Sequence, residues 1–147
     1  MESFWFDAGD VRVFGMLHVP PVGRGGGTAV VICRPLGYQG VCSYRPLRAL
    51  AQALAETGRP TLRFDWPSTG ESAGSVRDSA LVARWVDAVG AAAEEIRGRT
   101  DARHVALVGV TIGATLAAVA ASNPLPISAL TTARAPPRRA YSEKAPV

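Results

Sequence analysis

Apolar positions change rhythm several times along the chain. Between Ser3 and Val19 the residues Phe4, Trp5, Phe6, Val11, Val13, Phe14, Met16, Leu17 and Val19 partly alternate, the period of an extended strand. Ala8-Gly9-Asp10 interrupts them with turn chemistry, so the segment predicts an antiparallel hairpin. Pro20 to Gly27 is a breaker run of two prolines and four glycines. Thr28 to Cys33 follows as a continuous apolar run, the pattern of a strand buried on both faces of a parallel sheet. A loop from Arg34 to Ser43 contains Pro35, Gly37 and Gly40.

Helical spacing appears next. Leu47, Leu50, Ala51 and Leu54 predict a helix over Tyr44–Thr57, capped by Ser43, with Pro46 in its first turn and Gly58 as its stop. Arg59–Trp66 reads as a strand in which Leu62 and Phe64 alternate with Arg63 and Asp65. Pro67–Gly74 is a Gly/Ser/Thr loop. Leu81, Val82, Trp85, Val86, Val89 and Ile96 form the apolar side of a second helix over Ser79–Arg97. Ala102–Val110 is a third short strand, and Thr111–Ser122 a third helix. The order β-β-β-α-β-α-β-α implies an α/β fold: an N-terminal antiparallel hairpin plus three parallel strands, with helices on both faces. The predicted domain covers residues 1–122. Residues 123–147, with five prolines and four basic residues, read as a poorly ordered tail in which Ile127–Leu130 is too short to assign as a strand.

Composition narrows this picture. The 147 residues are 48 % hydrophobic and 19 % charged, enough to build one core and too few for two domains. Two cysteines, Cys33 and Cys42, lack zinc-ligand spacing and are expected as reduced thiols. The net charge of +4 suggests a nucleic-acid partner until it is located. Arg134, Arg138, Arg139 and Lys144 against Glu143 contribute +3, and the first 133 residues hold 12 basic and 11 acidic groups. The body is therefore not a basic domain, and no nucleic-acid partner is expected. Glu2, Asp7 and Asp10 replace the basic n-region of a secretory signal, so the expected location is cytoplasmic.

The most informative stretch is Val105–Ala121. Gly109 and Gly113 do not make a GxGxxG fingerprint, and no Gly-Lys-Ser/Thr follows, which excludes dinucleotide and P-loop readings. Seventeen uncharged residues lie at the lower limit of a membrane span. That reading leaves the preceding strand-helix units without a sheet partner, so no membrane role is expected. The remaining reading is a nucleophile elbow, G-x-S-x-G, with Thr111 in the serine position. A strand turning sharply into a helix holds that residue at positive φ, and the flanking glycines let neighbouring backbone pass.

With these motifs in order, the chain resembles the α/β-hydrolase superfamily, and within it the serine-aminopeptidase-like branch. The resemblance runs from about Ser3 to Ser122. Thr28–Gly40 is similar to the strand and loop that supply one oxyanion amide. Leu62-Arg63-Phe64-Asp65-Trp66-Pro67-Ser68-Thr69-Gly70-Glu71-Ser72-Ala73-Gly74 resembles that branch's R-F-D-x-x-G-x-G-x-S-x-G signature, with Ser68 at its first glycine. Val105–Gly113 resembles the fifth strand and elbow.

The resemblance implies hydrolysis of ester or amide bonds, with no metal and no organic cofactor. Thr111 takes the nucleophile position. The oxyanion hole would be the backbone N–H of Ile112 and one from Leu36, Gly37 or Tyr38. Its triad order places acid and histidine after the nucleophile, yet no histidine follows Thr111 and the sole later acid is Glu143. His104 opens the strand that ends at Thr111, about 23 Å away at the rise of an extended chain. Thr111 is also β-branched, which disfavours positive φ. The expectation is a truncated hydrolase domain that is catalytically incomplete alone. Two alternatives stand beside it: completion by a second chain pairing on the open sheet edge near 105–110, and a non-catalytic module binding a small acyl or ester ligand. Asp65 is expected to tie the loop after its strand, and Ser68, Thr69 and Ser72 to shape turns. Trp5, Trp66, Trp85 and Cys33 are expected to pack.

Overall fold

The structure is a computed structural model that describes residues 1–123 and the strand at 127–133. Its elements are β1 (Glu2–Ala8), β2 (Val11–His18), β3 (Thr28–Cys33), α1 (Gly37–Glu56), β4 (Thr61–Phe64), α2 (Leu81–Arg99), β5 (His104–Val110), α3 (Ile112–Ser122) and β6 (Ile127–Ala133). They form one sheet in the order β1-β2-β4-β3-β5-β6. β1 and β2 are the expected hairpin, turning at Gly9 (φ 63°). β2 also runs antiparallel to β4, while β4, β3, β5 and β6 are mutually parallel.

The unbroken apolar run of β3 has a direct explanation. Ala29, Val31 and Cys33 pack on one face with Ala88, Val89 and Ile96 of α2 and Leu116 and Ala117 of α3. Val30 and Ile32 pack on the other with Leu47 and Ala51 of α1. Both faces are covered, so neither set of side chains can be polar. The aromatic part of the core lies at the β4 end. Phe64 and Trp66 are fully buried and meet edge to face with centroids 4.8 Å apart, and Phe6 meets Phe64 at 6.4 Å. Trp5 departs from the expected packing role. It is 41 % exposed, edge-on to Phe14 and beneath the Arg12 guanidinium.

Three expectations are corrected. α1 begins at Gly37, seven residues before Tyr44, so the loop after β3 is only Arg34–Leu36. Ser43 is therefore no cap. Its Oγ donates to the Gly40 carbonyl one turn earlier, and Pro46 sits inside the helix. The glycines at 37 and 40, read as loop signals, have separate reasons to be there: Gly37 takes φ 60°, and a Cβ on Gly40 would stand 2.6 Å from the Pro35 carbonyl oxygen. Second, a sixth strand, Ile127–Ala133, pairs with β5 from Val105 to Val110. The edge expected at residues 105–110 is thus occupied, and the parallel edge of the sheet is β6. Third, α2 starts two residues later than expected, at Leu81, where Asp78 accepts the Ala80 amide at 2.8 Å. Of the tail expected at 123–147, residues 124–126 and 134–147 lie outside the described residues.

Candidate functional site

The C-terminal ends of β3, β4 and β5 carry the candidate oxyanion residues Leu36–Tyr38 and Ile112, the Asp65–Gly74 loop and Thr111. At the end of β5, Thr111 adopts φ 53° and ψ −121°. A threonine directly before a helix ordinarily caps it by accepting an amide of the first turn. Thr111 makes no such bond. Its Oγ1 is buried and has no hydrogen-bond partner among the described residues.

The neighbouring glycines are required by contact. A Cβ on Gly109 would collide with the Ala114 backbone, with the Ala114 nitrogen 2.7 Å away. One on Gly113 would collide with the Cys33 carbonyl and stand 2.6 Å from the Arg34 carbonyl oxygen. The turn from β5 into α3 is thereby pressed against the end of β3, its sheet neighbour through the Cys33–Gly109 pairing. The amide of Ile112, first residue of α3, and the start of α1 at Leu36–Tyr38 are set on these adjacent strand ends. Gly37 takes φ 60° at that start. Leu36 is the N-cap of α1 and supplies no side-chain bond, and the first turn holds no acidic residue. Its free amides lie at the positive end of a 20-residue helix.

The loop after β4 buttresses the loop after β3. Trp66 Nε1 donates to the Arg34 carbonyl at 2.9 Å. Arg34 Nη2 lies 3.2 Å from Asp65 Oδ1 and donates to Thr69 Oγ1 at 3.2 Å. Asp65 is buried, and its Oδ2 accepts the Glu71 amide at 3.0 Å. A Cβ on Gly70 would collide with that carboxylate. Ser72 Oγ donates to the Asp65 carbonyl at 2.6 Å and accepts the Phe14 amide at 2.9 Å, pinning the loop to β2. Asp65 and Ser72 hold the loop in place, as expected of them. Ser68, standing where the resembled signature has glycine, takes φ 60°, a conformation that favours glycine.

Between these two loops lies a cavity of about 700 Å³, open to solvent, bounded by Arg34–Gly37, the first two turns of α1 and Ser68–Gly70. Sequence reasoning did not find it. The signal available was the Arg-Pro pair directly after the apolar run of β3.

Neither histidine reaches Thr111. His18 ends β2, is 5 % exposed, and accepts from Arg63 Nε at 3.2 Å. Burial, with the Arg63 charge second, lowers its pKa to about 4. His104 starts β5, at the opposite end of the strand from Thr111, and is exposed. Cys33 is buried in β3, and burial raises its pKa to about 12, consistent with a core thiol. Cys42, on α1, is exposed. Among the described residues no three His, Cys, Asp or Glu side chains could together hold a metal ion. No helix among them is long and apolar enough to cross a membrane.

Solved structures with this arrangement are numerous. An alpha-beta serine hydrolase homologue from Coxiella burnetii matches with a TM-score of 0.71 at 22 % identity, over 89 % of this chain and 61 % of its own. A putative α/β hydrolase of unknown function from Agrobacterium tumefaciens matches with a TM-score of 0.70 at 19 % identity, over 99 % and 66 %. The esterase Est1E from Butyrivibrio proteoclasticus, solved with ferulic acid, matches with a TM-score of 0.67 at 21 % identity, over 86 % and 50 %. The chain thus spans less than two thirds of the length of each. No protein-family profile matches the chain, and no curated protein does. Strand order, crossovers and these likenesses agree on one conclusion: the described residues have part of an α/β-hydrolase fold.

Proposed function

We propose that this chain forms the nucleophile and oxyanion half of an ester- or amide-cleaving site, of the serine-aminopeptidase-like kind, and that alone it does not turn over. One observation carries the reading. Thr111 is held at positive φ between two glycines that cannot bear a Cβ, and it leaves the helix behind it uncapped. Strain of this kind persists where the surroundings impose it, commonly at functional positions. The adjacent N–H of Ile112 and one from Leu36–Tyr38 would receive the oxyanion. The attacking hydroxyl would need a base to take its proton. Both histidines lie elsewhere, and the Thr111 hydroxyl is shielded in this structure. No metal or organic cofactor is invoked, since acyl transfer at such a site uses none.

The test is hydrolysis of p-nitrophenyl butyrate by the purified 147-residue chain. The expected rate equals that of Thr111→Ala. A wild-type rate well above background that Thr111→Ala abolishes would overturn the proposed inactivity. The same shielded hydroxyl favours a second reading, in which the site binds a small acyl ligand without cleaving it. Ester-dependent rises in melting temperature without product would support that one.

A further inference from the structure

The cavity between the β3–α1 and β4–α2 loops has a one-sided charge pattern. Arg34 and Arg45 line it, and among its described lining residues there is no carboxylate. Ser68 and Thr69 also line it, with their hydroxyls donating to the Pro67 and Trp66 carbonyls. Arg34 is held through one nitrogen: its Nη2 pairs with Asp65 and donates to Thr69, while its Nε is buried with no partner among the described residues. Arg45 is exposed and has no ion-pair partner among the described residues. Val41 and Tyr44, on the same helix as Arg45, give the cavity apolar surface. Val41 is 74 % exposed and Tyr44 42 % exposed at its rim, more open apolar surface than two core-facing positions would leave. A volume of about 700 Å³ falls in the range of small-molecule sites.

We propose that this cavity binds an organic anion: an acyl compound whose far end carries a carboxylate or phosphate. The charged end lies between Arg34 and Arg45, and the hydrocarbon lies along Val41 and Tyr44. The cavity begins at Leu36 and Gly37, the same residues that bound the candidate oxyanion hole. A ligand seated this way directs its acyl end towards the elbow, so the substrate assignment rests on the reading given above, while the anion site itself does not. Guanidinium groups recognise both anions through paired N–H donors, and the ligand series below separates them.

The probes are adipate, hexyl phosphate and the neutral dimethyl adipate, titrated into the 147-residue chain by calorimetry and followed by thermal melting. Adipate or hexyl phosphate binds and raises the melting temperature by roughly 5–10 °C at hundredfold excess over Kd, and the tighter of the two names the anion. Binding weakens as salt rises from 50 to 500 mM. Arg45→Gln weakens it about tenfold and Arg45→Lys recovers part of the loss. Arg45 is exposed, so neither variant threatens the fold. Dimethyl adipate binding as tightly as adipate, or an unchanged Kd in Arg45→Gln, overturns the proposal. Adipate has no cleavable bond, so the titration is blind to turnover. Failure of the hydrolase reading therefore leaves this result interpretable on its own.

Discussion

Replacing Thr111 with glycine should stabilise this protein, which is the reverse of what a buried threonine at a helix start normally does. Four contributions decide the sign. A non-glycine residue at φ 53° and ψ −121° stores strain of about 1–3 kcal/mol, and β-branching puts threonine toward the upper end. The buried hydroxyl, without a partner among the described residues, costs a further 1–3 kcal/mol, roughly, in lost solvation. Glycine removes both. Against this, the variant loses the burial of two carbons, Cβ and the Cγ2 methyl, about 1.6 kcal/mol at most. It also gains unfolded-state freedom worth about 0.5–1 kcal/mol. No capping bond is lost, because none exists. The balance is a stabilisation on the order of 2 kcal/mol, or about 4–8 °C in Tm for a chain of this size.

Urea unfolding followed by tryptophan fluorescence measures it, with buried Trp66 as the reporter nearest the site. Thr111→Ala keeps the Cβ at positive φ and removes the hydroxyl, so it should fall between wild type and Thr111→Gly. Thr111→Ser keeps the hydroxyl and removes the branch. The order Gly above Ala, with wild type lowest, supports strain held at this position. A lower midpoint for Thr111→Gly at unchanged m-value would refute the reasoning and return Thr111 to an ordinary packing role.

Acid should weaken the fold through His18. Its folded pKa of about 4 lies below the unfolded 6.5, so the unfolded chain binds more protons, and stability falls as pH drops from about 6.5 to 4. At 1.36 kcal/mol per pKa unit the loss is at most about 3 kcal/mol. Urea midpoints from pH 7.5 to 4 should show it, and His18→Gln should flatten that part of the profile. Two glycine-to-alanine changes should have opposite signs in the same assay. Gly113→Ala drives a methyl into the Cys33 carbonyl and should cost about 3 kcal/mol. Gly98→Ala, in α2 with open space around it, should gain about 0.5–1 kcal/mol. Asp65→Asn should cost about 2 kcal/mol by leaving Arg34 without its ion pair, and a loss under a few tenths of a kcal/mol would show that the pair does not hold the loop.

The contrast between what the sequence disclosed and what it hid follows from how local each signal is. β3 and β5 were legible because burial on both faces leaves an unbroken apolar run, and nothing outside the segment is needed to see it. The elbow was legible for a similar reason. Gly109 and Gly113 are required by contacts within the turn and with the next strand, so their spacing carries the geometry. The start of α1 was not. Gly37 and Gly40 look like breakers because a glycine in a helix costs stability. The compensation at Gly40, an approach to the Pro35 carbonyl too close for any side chain, exists only after the chain has turned back on itself. β6 was hidden differently. Its short run gains its place from pairing with β5, and pairing is not written in either strand alone. Thr111 lies between these cases. A threonine directly before a helix ordinarily caps it, its motif predicts strain, and the two cannot both hold. The observed φ and the unbonded hydroxyl choose strain. The Arg34–Arg45 cavity could not be read at all. It is bounded by the loops after β3 and β4, which strand pairing sets side by side and which Trp66 and Asp65 tie together through Arg34. Each of those residues had an adequate local role as packing or turn chemistry, and only their joint placement makes a concave wall of positive charge beside the elbow.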